Sequence, residues 1–212
     1  SEFVLSARFS LPYSLWNGVD YANLGDLEKF QDDDGNQDPA KIEQEKFKWL
    51  EFYKIKFKGS WYTRLFDKLV LRTHTEFGFL GAFNNDRGVI PFDRFFLGGD
   101  GMSQYAMDGR ETISLRGYPN QSLSSQDGST IYNRFSLELR YPITLKPAAS
   151  IFGLTFMETG QGYNNFREFN PFNGKRSVGL GLRIFMPAFG LLGIDFGYGF
   201  DNPTGSNEPN GW

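Results

Sequence analysis

The chain has 212 residues, a net charge of −3, no cysteine, 17% aromatic residues and 25 glycines. The acidic balance gives no basic surface for nucleic acid, and the lack of thiols excludes disulfides, thiolate metal sites and a cysteine nucleophile. No run of about 18 apolar residues is present, which excludes a transmembrane helix but leaves open a membrane barrel, whose strands need only about 9–11 residues.

Alternation of apolar and polar residues is the main structural signal in the chain. One segment, 149–160, alternates poorly because Phe152, Leu154 and Phe156 share a face with Glu158. Together with the segments that alternate cleanly it predicts seven strands and an all-β fold. The six clean alternations are at residues 3–11, 53–61, 69–83, 134–141, 177–186 and 192–200.

The same alternation would suit either a water-soluble β-sandwich or a transmembrane β-barrel. Two features favour the barrel: the polar faces carry dense charge of both signs, and short connections alternate with long ones, as in outer-membrane barrels. We therefore predict a transmembrane antiparallel β-barrel. The short connections are 67–68, 144–147 and 187–190, and the long ones are 13–46, 84–130, 163–175 and 201–211.

The first long connection, 13–46, holds nine acidic residues against three lysines, a net charge of −6. A solvated loop is the preferred interpretation. The alternative is a calcium loop, because Asp32, Asp34, Asn36, Asp38 and Glu43 fall at positions 1, 3, 5, 7 and 12 of the EF-hand template. Gln37 stands where that template needs glycine, so we predict no metal and no cofactor.

The second long connection, residues 84–130, is centred on Leu115, Arg116, Gly117 and Tyr118. A loop this long is either functional or disordered, and its many aromatic residues argue against disorder. Catalysis is not expected in the chain. Its only histidine, His74, has no evident nucleophile or metal-ligand partner in the sequence, so we predict that the protein is not an enzyme.

Four motifs in chain order resemble BamA-type outer-membrane assembly barrels, the bacterial surface antigen family. Phe92–Gly99 is similar to the start of that family's lid loop, and Leu115–Tyr118 is similar to the Val-Arg-Gly-Phe/Tyr motif at its tip. Ser136–Pro142 resembles the next strand, and Phe156–Gly160 resembles the Phe-x-Asp-x-Gly pattern of the strand after it. The resemblance covers essentially all 212 residues.

The resemblance implies that residues 1–212 are the C-terminal part of one sixteen-stranded barrel domain, with strands nine to fifteen present. The sixteenth strand would begin at Gly211-Trp212, and the periplasmic domains and first half of the barrel would lie outside this chain. A lid loop at about 84–130 would fold into the lumen, where Arg116 would dock on the inner wall. Its docking partners there would be Glu138, Phe156, Glu158 and Gly160, which makes the apolar inward face of 149–160 a docking surface.

The function implied is that of the central barrel subunit of the machinery that folds and inserts β-barrel proteins into the bacterial outer membrane. Its partners would be outer-membrane lipids, unfolded outer-membrane client proteins, the rest of the barrel and accessory lipoproteins. Two alternatives stay open: a protein-secretion transporter of the same superfamily, and a diffusion porin.

Overall fold

The structure is a computed structural model that describes residues 1–32, 34–100, 110–146, 149–188 and 190–203. Its main feature is one seven-stranded antiparallel sheet, which confirms the predicted all-β fold. Two short strands, β4 and β5, form a separate parallel pair within the second long connection. The sheet order is β1-β2-β3-β6-β7-β8-β9. The strands are β1 Glu2–Phe9, β2 Tyr53–Phe66, β3 Leu69–Gly81, β4 Phe95–Leu97, β5 Glu111–Ile113, β6 Ile131–Lys146, β7 Ala149–Tyr163, β8 Lys175–Met186 and β9 Gly190–Gly199.

The register places the predicted apolar residues on one face of the sheet, here called the outer face. Leu5 lies opposite Phe57, and Phe57 lies opposite Phe77. Many outer-face side chains are open to the surroundings, with Leu5 73% exposed and Leu180 64% exposed. An apolar, exposed sheet face suits lipid rather than water. The opposite face, here called the inner face, carries the charged residues.

The long connections lie at one end of the strands and the short connections at the other end, as predicted. β3 and β6, for example, are joined at the long-connection rim and run antiparallel to β2 and β7. Several strands extend beyond the predicted ends; β2, for example, continues to Phe66. The alternation misses this extension because Trp61 and Tyr62 are adjacent aromatic residues on opposite faces. Pro147 and the expected start of a last strand at Gly211-Trp212 lie outside the described residues.

The first long connection is more ordered in structure than a solvated loop. It contains three 3-10 turns and one helix, α1 Pro39–Phe47, which alternation alone did not predict. The helix starts where it does because the Asp38 carboxylate accepts hydrogen bonds from the amides of Ala40 and Lys41, with proline in the first turn. Among the described residues, no helix is both long and apolar enough to cross a membrane.

Candidate functional site

The segment 84–130, called the lid below, packs against the inner face of the sheet. Its two short strands β4 and β5 pair side by side, and Gly98 donates a hydrogen bond to the carbonyl of Ile113. Residues 101–109 lie outside the described part of the lid. An apolar cluster joins the lid to β3 and β6 and consists of Leu80, Ile90, Phe95, Leu97, Ile113, Leu115, Tyr118, Leu123 and Tyr132.

Arg116, at the tip of the lid, lies among three carboxylates of the inner face. Its guanidinium donates to Glu158 Oε1 through Nη2 at 2.6 Å and Nε at 3.1 Å, and to Glu138 Oε1 at 2.7 Å. Nη1 reaches Asp195 Oδ2 at 3.3 Å. The backbone amide of Arg116 donates to the second oxygen of Glu158 at 2.9 Å. One residue of the lid thus bridges strands β6, β7 and β9.

The surface beneath Arg116 combines an aromatic ring with a charge network. The guanidinium carbon lies 3.7 Å from the centroid of the Phe156 ring, close enough for a cation–π interaction. Arg134 of β6 donates to Glu158 at 2.8 Å and to Glu76 at 3.3 Å. Charged groups removed from water are costly unless paired, and here each carboxylate that holds Arg116 also pairs with an arginine of the wall.

The residues beside Arg116 fix the lid tip by close approach. Gly117 has φ +89°, and a Cβ there would lie 2.9 Å from the carbonyl carbon of Tyr198. Both features require glycine. Tyr118 donates its hydroxyl proton to the carbonyl of Arg176 at 2.6 Å. The tip therefore touches the far edge of the sheet, at β8 and β9.

Leu115 and Gly160 complete the set of residues predicted for this site. Leu115 is fully buried in the apolar cluster. A Cβ on Gly160 would lie 3.4 Å from Leu115 Cδ1 and 2.9 Å from the Asn133 carbonyl. The structure brings all the predicted residues together at the lid tip, while their role in function stays a prediction. Sequence reasoning did not include Asp195, although alternation already placed it on the inner face.

A second set of ion pairs holds the base of the lid to β1 and β2. Lys54, 1% exposed, pairs with Asp93 at 3.1 Å and with Glu111 at 2.8 Å, and its ammonium lies 4.6 Å from the Phe95 ring centroid. Lys56 also pairs with Glu111, and Arg8 with Asp93. These contacts are called the base dock, and those of Arg116 the tip dock. The base dock was not predicted.

The carboxylates of the base dock are held in their charged form. Burial alone would raise the pKa of Glu111, but hydrogen bonds from Lys54 and Lys56 outweigh it and keep the pKa below its ordinary value. The pKa of Asp93 is lowered in the same way: burial opposes the shift, and Lys54 and then Arg8 overcome it. The lid base is therefore anionic at neutral pH.

His74 lies in a buried polar row on the inner face. Its Nδ1 is 2.7 Å from Ser60 Oγ, and its Nε2 is 2.6 Å from Glu76 Oε1. Ser60 is thus a hydroxyl partner that the sequence alone did not reveal. The register pairs Ser60 directly with His74 across β2 and β3. Glu76 continues the row to Arg134 and to the hydroxyl of Tyr132.

Some acidic residues of the first long connection are engaged locally. Asp32 Oδ1 accepts from the amides of Asp34 and Asn36, and Asp38 caps α1. Asp33 lies outside the described residues. Within the described ranges, no group of three or more His, Asp or Glu side chains is arranged to hold a metal ion.

A buried ion pair ties the start of the lid to the first long connection. Arg87, 3% exposed, donates to Glu51 Oε2 at 2.7 Å, and Glu51 is 1% exposed. Glu51 also accepts from the amide and hydroxyl of Ser14 at 2.8 and 2.6 Å. Arg87 further donates to the carbonyls of Lys46 and Trp49. Both carboxylate oxygens of Glu51 therefore accept hydrogen bonds from within the protein.

Comparison with known proteins adds an independent line of evidence. No curated protein matches the chain. A family model does match: the Omp85 superfamily domain aligns with residues 33–212, a span that includes the lid, the tip dock, the base dock except Arg8, and six of the seven long strands. Members of this superfamily are membrane β-barrels, in agreement with the exposed apolar outer face and the charged inner face. The chain belongs to the Omp85 superfamily.

Proposed function

We propose that this chain is the lid-bearing part of a BamA-type barrel, the central subunit of the machinery that folds and inserts β-barrel proteins into the bacterial outer membrane. The single observation that carries the proposal is the lid tip docked on the inner face through Arg116, Glu138 and Glu158. A plain diffusion pore needs no such element. Three of the four motifs that resemble the bacterial surface antigen family, those at 115–118, 136–142 and 156–160, meet at this dock.

The edges of the sheet support a place within a larger barrel. Among the described residues, β1 pairs only with β2, and β9 pairs only with β8. A strand edge facing lipid leaves backbone groups without partners, which is costly. We propose that the seven strands are the ninth to fifteenth of sixteen. Client strands would add at an opened seam of that barrel by β-augmentation. Accessory lipoproteins would assist this step.

A protein-secretion transporter of the same superfamily is the second candidate. The observation in its favour is that the lid tip is held by ionic hydrogen bonds on a polar wall, a contact that a gate can break and remake. Enzymatic activity is not part of either proposal. Ser60 and His74 lie within the hydrogen-bonded ladder of β2 and β3, so their strands offer no spare amides for an oxyanion.

The test uses the full-length protein reconstituted in liposomes with its accessory lipoproteins. An unfolded outer-membrane protein is added outside, and its folding is followed by heat-modifiable gel mobility and protection from protease. We expect insertion to exceed that of empty liposomes and to fall when Arg116 is replaced by alanine. Delivery of a soluble polypeptide into the liposome interior would instead favour the secretion transporter. Solute flux without either activity would indicate a porin.

A further inference from the structure

The lid tip rests on a part of the wall that has almost no side chains. The inner face of β8 and β9 carries five glycines, and Gly197 and Gly199 lie directly under Gly117. A Cβ on Gly197 would be 2.7 Å from the Gly117 amide nitrogen, and one on Gly199 would be 2.6 Å from the Gly117 carbonyl oxygen. This strip therefore accepts a polypeptide main chain at a distance that any side chain would block. The five are Gly179, Gly181, Gly193, Gly197 and Gly199.

Chemical groups around this strip select what can lie on it. Glu138, Glu158 and Asp195 converge on one position and favour a guanidinium, whose planar fork can bond several carboxylate oxygens at once. Two residues further along, the carbonyl of Arg176 accepts the phenolic proton of Tyr118. The strip is thus complementary to an arginine, a glycine and an aromatic residue in succession.

The lid tip does not use every polar group of the strip. Ser177 lies on the inner face of β8, 2% exposed, and its Cβ would be 3.1 Å from a Cβ on Gly117. Its buried Oγ has no hydrogen-bond partner among the described residues. A buried hydroxyl without a partner is costly and points to a ligand that can satisfy it. A polypeptide with a different backbone path could do so.

The tip can leave this strip while the rest of the lid stays in place. The base dock on Lys54 and the buried cluster around Phe95 and Leu97 attach the lid to the inner face of β2, β3 and β6, which precede β7, β8 and β9 in the strand order of the sheet. Of these attachments, only Tyr118 of the cluster reaches β8 and β9, through Arg176 and Gly199. Release of Arg116 together with Tyr118 would therefore expose the glycine strip without detaching the lid.

We propose that the inner face of β8 and β9, with Glu138, Glu158 and Asp195, is a binding site for a polypeptide segment of the type arginine–glycine–aromatic. The lid tip occupies this site in cis, and a client segment of the same chemistry occupies it when the tip leaves. The proposal rests on the proposed function, because that function supplies the unfolded polypeptide. The lid is then a competitor of the client as well as a cover.

The test is a binding titration with a fluorescent peptide of residues 112–120 of this chain. The full-length protein is placed in phosphatidylcholine nanodiscs, whose neutral surface does not attract a cationic peptide, and binding is read by fluorescence anisotropy. We expect Arg116→Ala protein, whose tip is released, to bind the peptide at least about tenfold more tightly than the unchanged protein. In the Arg116→Ala background, Gly197→Ala should weaken binding about tenfold, because its methyl group occupies the main-chain position.

Two controls keep the test specific. Gly153→Ala adds the same methyl group to the outer face of β7, where the nearest atom is 3.9 Å away, and should leave binding unchanged. A peptide in which the arginine is replaced by glutamate should not bind. Heat-modifiable mobility checks that each variant is folded.

Three outcomes would overturn the proposal: no saturable binding to Arg116→Ala protein, equal binding of the glutamate peptide, or no effect of Gly197→Ala. The liposome insertion assay is independent of these. Absence of insertion by the unchanged protein, with intact peptide binding to Arg116→Ala protein, would reject the proposed function and leave the site standing. Normal insertion with no peptide binding would reject only the site.

Discussion

The two docks of the lid have opposite polarity. At the tip, the lid supplies the cation, Arg116, and the wall supplies the carboxylates. At the base, the lid supplies the carboxylates Asp93 and Glu111, and the wall supplies the cations, chiefly Lys54. A lid that slipped or reversed would bring like charges together at both ends. The pair of docks therefore determines the orientation of the lid as well as its attachment.

The docks also differ in what supports them. The base dock lies beside the apolar cluster of Phe95, Leu97 and Tyr132, so its ion pairs add to a contact that apolar burial already stabilises. At the tip, Leu115 and Tyr118 belong to the same cluster, but Arg116 itself lies on one aromatic ring beside glycine and is held by ionic hydrogen bonds. We expect the same kind of substitution to have a larger effect at the tip than at the base.

The largest effect is expected for Arg116→Ala. It removes hydrogen bonds to charged groups worth about 1.5–3 kcal/mol each and leaves Glu158 with Arg134 as its cationic partner. Amide hydrogen exchange of residues 114–119 in nanodiscs should become faster by on the order of tenfold to hundredfold, while residues 93–97 stay protected. Arg116→Lys should restore only part of the protection, because an ammonium lacks the planar fork.

Arg167→Ala is the matched control for this variant, since it removes an arginine from an exposed turn at the long-connection rim. Exchange at the tip should not change there. If Arg116→Ala exposes the tip and the base to the same extent, the lid opens as one unit and the contrast between the docks is wrong.

A smaller effect is expected for Lys54→Met, which keeps the length of the side chain and removes its charge. Glu111 retains Lys56, Asp93 retains Arg8, and the apolar cluster remains. Exchange of residues 93–97 and 111–113 should become about threefold faster, because both partly exposed carboxylates keep a cationic partner and methionine fills the buried position of Lys54.

Lys48→Met, at an exposed position before β2, serves as the control for Lys54→Met. The tip should keep its protection in both variants. Unchanged exchange at the base in Lys54→Met would show that the apolar cluster alone holds it.

The smallest effect on docking of the lid is expected when the pH is lowered. Because the pKa of Glu111 and that of Asp93 are lowered in the docked lid, the released base binds more protons than the docked base. Docking of the base should therefore be fully stabilised above the ordinary carboxyl pKa values, about 3.9–4.3, and should weaken as the pH falls through and below them. Exchange rates corrected for intrinsic chemistry should be flat from pH 7 to about pH 5 and rise below about pH 4. Weakening that begins near pH 6 would contradict this assignment.

Most strands of the wall were predictable because they depend on local alternation only. The inward positions of Lys54 and Glu138 follow from period two, and the register confirms them. β7 alternates poorly because its inner face, which carries Glu158, is also apolar. The neighbouring positions of Glu138 and Glu158 follow from the short turn between β6 and β7. These two residues lie on strands that are consecutive in the sequence and adjacent in the sheet.

The remaining contacts depend on geometry that no local pattern contains. Asp195 lies two strands beyond β7, and its reach to Arg116 depends on the curvature of the sheet and the depth of the lid tip. The base dock depends on the path of the lid between Asp93 and Glu111. The helix α1 is different: Asp38 and Pro39 were a readable start signal, which the acidic composition of the segment obscured.

The buried pair of Arg87 and Glu51 has a consequence for protein engineering. It fastens the lid to the chain near Ser14 and Glu51, on either side of the hairpin that the bridge between Gln31 and Gln37 closes. The closure entropy of a loop grows only slowly with its length. A foreign peptide inserted at the tip of that hairpin should therefore be displayed without moving the lid, which makes this rim a suitable carrier for epitopes or affinity tags.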